Sequence, residues 1–166
     1  MVLVVLMGKR IKLRDKLILK FNSAGFKNVV EYTTKRRGLI ELHGWDYRFT
    51  NKKGLDTLEQ KGVLVTRYKL GDHEYAVPHV IGSKLNILTL SSEKEFDNAV
   101  KVYGDKQVLG VYLDSGKEHL SRLIDLRNKR ARVNKVEINE VAIDGDSSIE
   151  DIFNEVIKTL KGGIIR

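Results

Sequence analysis

The stretch VLVVLM, residues 2 to 7, constrains this chain more than any other. Six consecutive apolar residues show neither the alternation of a half-exposed strand nor the spacing of an amphipathic helix. They are also far too few to span a membrane, and no basic region precedes them as in a signal peptide. Such a run reads as a strand covered on both faces, and such strands belong to parallel sheets with helices above and below. Four further apolar runs fit the same sheet: Asn28 to Tyr32, Leu85 to Leu90, Val108 to Leu113 and Val141 to Asp144.

Helical patterns separate these runs. Leu13, Leu17, Phe21 and Ala24 share one face, and Gly25 follows as a C-terminal cap. Ser92 with Glu95, Ser115 with Glu118 and Ser147 with Glu150 have the spacing of capping boxes. The last helix gathers Ile149, Ile152, Phe153, Val156, Ile157 and Leu160 on one side before Gly162. The alternation predicts an α/β fold: a mainly parallel five-stranded sheet flanked by helices. A chain of 166 residues, 42% hydrophobic, is long enough for one domain with a core of its own.

Residues 33–80 interrupt the alternation. A polar stretch punctuated by glycine leads to a short helix around Leu55 to Lys61. A hairpin follows, in which Val63 to Leu70 turns through Gly71 and Asp72 into Glu74 to Val77. The chain therefore divides into a core, 1–32 and 81–166, and a small mixed α/β insert, 33–80.

Thirty Lys and Arg against 22 Asp and Glu give a net charge of +8, which favours anionic partners: a nucleotide, a phosphorylated chain, nucleic acid or a membrane surface. The absence of cysteine excludes a disulfide framework, a thiolate nucleophile and a Cys-based zinc site. His43, His73, His79 and His119 lack the spacing with carboxylates that a metal site needs, so no metal is expected. Cytoplasm is the default location. Lys9, Arg10, Lys12, Arg14 and Lys16 crowd the first strand-to-helix junction, and Arg127, Lys129, Arg130, Arg132 and Lys135 form the densest basic cluster. The second cluster reads as a solvated loop or as a site for phosphate or nucleic acid.

Within the insert, TTKRRGLIELHGWDYRF followed by LDTLEQKGVLVTRYKLGDHEYAV resembles the GMP-binding segment of guanylate kinases, whose pattern is roughly STTRxxRxGExxGxDYxF. Thr33, Thr34, Glu41, Gly44, Asp46, Tyr47 and Phe49 match without a gap, and Gly62 and Tyr75 fall in register. The resemblance implies a P-loop nucleoside monophosphate kinase-like core. It gives Tyr47 and Tyr75 the role of binding a monophosphate, puts Lys35 where the family has its first phosphate-binding arginine, and leaves Thr34, Glu41 and Asp46 in support. Gly38 stands at the second arginine position, with Arg36 and Arg37 beside it. The family's base-reading glutamate falls at Thr66 and its base-contacting serines at Glu31 and Val77, so selectivity for guanine does not carry over. Trp45 reads as packing rather than base stacking.

The phosphate loop is where the family pattern fails. A GxxxxGKS or GxxxxGKT loop needs glycines so that main-chain amides converge on phosphate, a lysine to reach it, and a hydroxyl for magnesium. Aligned from Gly8, the second glycine, the lysine and the hydroxyl positions hold Leu13, Arg14 and Asp15, and the family's extra internal glycine becomes Ile11. Thr89, Leu90 and Ser91 replace an aspartate-bearing run, and the segment after Leu120 is short for an arginine-bearing lid. The expectation is a binding module for a nucleoside monophosphate or another phosphorylated ligand, without ATP. The guanylate-kinase-like domain of membrane-associated scaffold proteins, which binds phosphorylated protein segments, is the precedent. Two alternatives stand beside it: an active divergent kinase using ATP, magnesium and Arg14, and a basic nucleic-acid-binding protein.

Overall fold

The computed structural model describes residues 1–8, 11–92, 94–113, 139–143 and 147–164. Five strands form the main sheet: β1 (Val2–Met7), β2 (Lys27–Val29), β7 (Leu85–Thr89), β8 (Val108–Leu113) and β9 (Asn139–Ile143). Their order is β2-β7-β1-β8-β9, and every neighbouring pair is parallel. The α/β fold with a parallel five-stranded sheet is the one expected from the apolar runs. Among the described residues no helix is long and apolar enough to cross a membrane.

The helices explain why VLVVLM is buried throughout. Val2, Val4 and Leu6 face α1 (Ile11–Ser23) and α4 (Ile149–Thr159), packing with Leu17, Phe21, Ile152 and Val156. Leu3, Val5 and Met7 face α3 (Lys94–Tyr103), packing with Phe96 and Val100. Phe21 is the hub of the first layer, its ring 5.0 Å from both Phe26 and Phe153. Alternate residues of one strand thus feed two separate cores.

A second sheet, in the order β4-β3-β6-β5, holds β3 (Tyr32–Thr33), β4 (Arg48–Phe49), β5 (Leu64–Leu70) and β6 (His73–Pro78). The antiparallel β5–β6 pair is the expected hairpin. The helix α2 (Lys52–Gln60) starts earlier than the Leu55 expected from its apolar spacing, because Asn51 caps it: Gly54 N donates to Asn51 Oδ1 at 2.8 Å.

Three local expectations are corrected. The run Asn28 to Tyr32 is not one strand: β2 ends at Val29, and Tyr32 pairs with Arg48 and Ala76 in the second sheet. The chain changes sheets at Val30 and Glu31. The last helix is capped not by Ser147 with Glu150 but one residue on, where Asp151 N donates to Ser148 Oγ at 3.1 Å. Glu95 does not reach back to a helix start; its carboxylate accepts hydrogen bonds from Thr66 and Asn98, at 2.8 Å each. The Ser115–Glu118 box, the segment after Leu120, His119, Lys9, Arg10 and the basic cluster at Arg127, Lys129, Arg130, Arg132 and Lys135 lie outside the described residues.

Candidate functional site

Strand order locates the site before any side chain is considered. From β1 the chain crosses to β2 on one side of the sheet, whereas β8 is followed by β9 on the other, so crossovers diverge at the centre. A crevice opens at the carboxyl ends of strands where connections part, and ligands of open α/β sheets bind there. Gly8, Thr89 to Ser91 and Leu113 mark that edge.

Gly8 has φ +115°, and a Cβ there would lie 2.3 Å from the Leu113 carbonyl oxygen. Only glycine allows the end of β1 to lie so close to β8. α1 has begun by Ile11, so Leu13, Arg14 and Asp15 are helical residues rather than parts of an open loop. Arg14 points into the crevice with its side chain only 20% exposed, its Nε 3.4 Å from Asp15 Oδ1. Trp45, Asp46 and Tyr47 of the insert cover the opposite wall, Trp45 packing against the α1–α4 core layer. The cavity between the two walls is partly open and measures about 20 Å³, enough for one water molecule. Thr89, whose buried Oγ1 has no partner among the described residues, also lines it.

A hydrogen-bonded chain closes the floor. Glu31 is 2% exposed. Its Oε1 accepts from Tyr68 OH at 2.5 Å, and its Oε2 accepts from Ser91 Oγ at 2.7 Å and Ser91 N at 3.2 Å. Tyr47 OH lies 3.1 Å from Ser91 Oγ. Loss of water around Glu31 pushes its carboxyl up to about 7, against the pull of the donated hydrogen bonds. Burial first, and then the Glu31 carboxylate, raise the Tyr68 phenol above its ordinary range.

The anion-binding candidates from the sequence converge in part. Lys35 Nζ lies 5.8 Å from the Tyr47 ring centroid and donates to Glu41 Oε1 at 2.6 Å. That bond raises the ammonium's proton affinity and lowers that of Glu41, whose Oε2 also accepts from Gly38 N at 2.7 Å. Asp46 Oδ2 holds Leu42 N at 2.7 Å, and Thr34 Oγ1 holds Glu74 N at 2.9 Å, so both shape the loop rather than face outward. Tyr75 is 7% exposed, its ring stacked on Tyr68 at 5.6 Å and edge-on to Tyr47 at 5.8 Å. Arg36 and Arg37 stand exposed at the loop tip, away from this cluster's hydrogen bonds.

Sequence reasoning missed Tyr68 altogether, read Glu95 only as part of a helix cap, and treated Glu31 and Ser91 as losses. The positions that the resemblance gives to base recognition are occupied internally. Thr66 Oγ1 donates to Glu95, Glu31 is tied to Tyr68 and Ser91, and Val77 is buried in the core. Among the described residues, no group of three His, Asp or Glu is placed to hold a metal.

No protein-family model matches the sequence, and no curated protein matches it. Among solved structures, the guanylate kinase from Anaplasma phagocytophilum is similar to this chain, with a TM-score of 0.65 over 97% of this chain and 85% of that one, at 17% identity. The parallel sheet, the flanking helices and the second sheet at its carboxyl edge make a guanylate-kinase-like fold.

Proposed function

We propose that this chain is a binding module for a phosphate-bearing ligand, without ATP-dependent phosphoryl transfer. The observation that carries it is the placement of Tyr47. Its half-buried hydroxyl stands at the mouth of the crevice with the Lys35 ammonium beside its ring and the Arg14 guanidinium lining the same cavity. Arg14 beside that hydroxyl and Lys35 against its ring, each paired with a carboxylate (Asp15 and Glu41), are the cations that an anionic oxygen cluster would meet. A space of about 20 Å³ behind them has no room for a base, and the polar side chains aligned with base recognition are already engaged, Thr66 with Glu95 and Glu31 with Tyr68 and Ser91. The phosphate is therefore the recognised part, and the group that carries it extends outward over the exposed Arg36 and Arg37.

The residues after β1 do not fit a magnesium triphosphate. Gly8 is pressed against the Leu113 backbone, α1 starts where amides would have to curl, and its first two turns present Leu13, Arg14 and Asp15 instead of glycine, lysine and hydroxyl. A thermal-shift panel tests the proposal. Nucleoside monophosphates and phosphopeptides raise the melting temperature, ATP with magnesium does not, and Tyr47→Phe removes the shift. One observation favours the active-kinase reading, namely Arg14 inside the crevice. Coupled ADP production that Tyr47→Phe abolishes would establish that reading and end the present one.

A further inference from the structure

We propose that Glu31 is a positioning residue which, through Ser91, decides whether Tyr47 gives its hydroxyl proton to the ligand, so that anion binding takes up one proton. The inference rests on Tyr47 being an anion contact, as proposed above, and its substance is the direction of three hydrogen bonds. Ser91 Oγ has a single proton. With Glu31 ionised, that proton goes to Glu31 Oε2, and the 3.1 Å contact with Tyr47 can form only if Tyr47 donates to Ser91. Tyr47 then turns oxygen lone pairs toward the mouth of the crevice, which repel an anion. With Glu31 protonated on Oε2, the same atoms carry the reverse chain: Glu31 donates to Ser91, Ser91 donates to Tyr47, and the Tyr47 proton points at the anion. One proton enters from solvent and stays on Glu31; the Tyr68 bond to Oε1 is kept, and the 3.2 Å contact from Ser91 N then falls on the protonated oxygen and weakens.

The surroundings of Glu31 suit such a switch. Tyr68 from β5 and Ser91 after β7 touch it, and Glu95 of α3 and Tyr75 of β6 act on it electrostatically. Arg14, Asp15 and Asp46 share its cavity. Burial brings the Glu31 carboxyl to about 7, where one proton can be gained or lost near neutrality. His43, bridged to Tyr47 along the backbone, accepts at Nδ1 from Phe49 N and lies outside the relay.

Inorganic sulfate is the probe, because it keeps its charge between pH 6 and 8. In the full chain, amide chemical shifts give its dissociation constant at both pH values, and calorimetry in two buffers of different ionisation enthalpy counts protons. The expected result is binding about tenfold weaker at pH 8 than at pH 6, with nearly one proton taken up at pH 8, as follows when only the protonated fraction of a group titrating near 7 is competent. Ser91→Ala cuts the relay, leaves His43 in place and frees the Tyr47 proton. This variant is expected to bind at pH 8 within about twofold of the wild-type affinity at pH 6, with no proton uptake. Equal wild-type affinity at both pH values without proton uptake overturns the inference alone, as does a tenfold slope retained in Ser91→Ala. No sulfate binding at either pH overturns the anion-site reading and the inference with it. If Ser91→Ala does not fold, the wild-type proton count still decides.

Discussion

Glu31 sits where the chain leaves one sheet for the other, and its ionisation opposes folding. Its folded-state affinity for protons, near pH 7, exceeds that of an ordinary glutamate at 4.5. Between those values the native state therefore holds more protons than the unfolded chain, and stability falls as pH rises through 7. The penalty is absent below about 4.5, grows up to about 7 and is complete above it. By linkage it is on the order of 3 kcal/mol. Glu31→Gln keeps the shape and carries no charge, so its urea midpoint is expected to exceed the wild-type value at pH 8 and to approach it at pH 5. A wild-type advantage at pH 8 would mean the ionised carboxylate is net stabilising. None of this was legible in the sequence. Tyr47 could be found because it belongs to a dense local motif, whereas Glu31 follows two valines and meets Tyr68 and Ser91 only through folding, 37 and 60 positions along the chain. Local pattern carries no information about such partners.

Elements were readable to the extent that burial has a period. VLVVLM announced a doubly covered strand, and the spacing of Leu17 and Phe21 announced the face of α1 that meets it. Boundaries were misread where one hydrogen bond decides them. Ser147 and Ser148 both offer a hydroxyl three residues before an acid, and the sequence alone does not rank them. The backbone does, since Asp151 N donates to Ser148 Oγ and Ile152 N to the Ser148 carbonyl. Ser148→Ala is expected to cost about 1 kcal/mol in chemical denaturation while Ser147→Ala stays within about 0.5 kcal/mol of wild type. A reversed order would put the cap back at the position suggested by the sequence. At the junction of β1 and α1 the demand is steeper. Gly8→Ala pushes a methyl into the Leu113 carbonyl in a backbone conformation that alanine rarely adopts. It should lower stability by about 2 to 4 kcal/mol with the denaturant slope unchanged.

At the scale of the whole molecule the question is whether the two sheets behave as one body. Alternating strands and helices indicated a parallel sheet but not its order, which depends on how crossovers pack rather than on any periodicity. Nor did they show how the second sheet is attached. Its attachments include Trp45 against the α1–α4 layer, Val77, Val65 and Tyr68 in the core layer under α3, Glu31 and Tyr47 on Ser91, Thr66 on Glu95 and Asn98 of α3, and Val80 N on the Tyr103 hydroxyl. Arg67 stiffens the insert by pairing with Asp56 and Glu59 of α2 and Glu74 of β6, but it ties the insert only to itself. The sole tryptophan is Trp45, so its emission reports the seam between insert and core, whereas far-UV circular dichroism reports all the helices. Because the seam is apolar and hydrogen-bonded at once, both signals are expected to lose structure at the same urea concentration, as one cooperative transition. Weakening the α3 attachment with Asn98→Ala, which leaves the Thr66–Glu95 bond in place, should lower that single midpoint without separating the curves, since Trp45 and the Ser91 bonds also remain. If Trp45 emission changes well before the helical signal in the wild type, the insert opens on its own. The closed crevice would then be one of two populated arrangements rather than the ground state from which ligand binding starts.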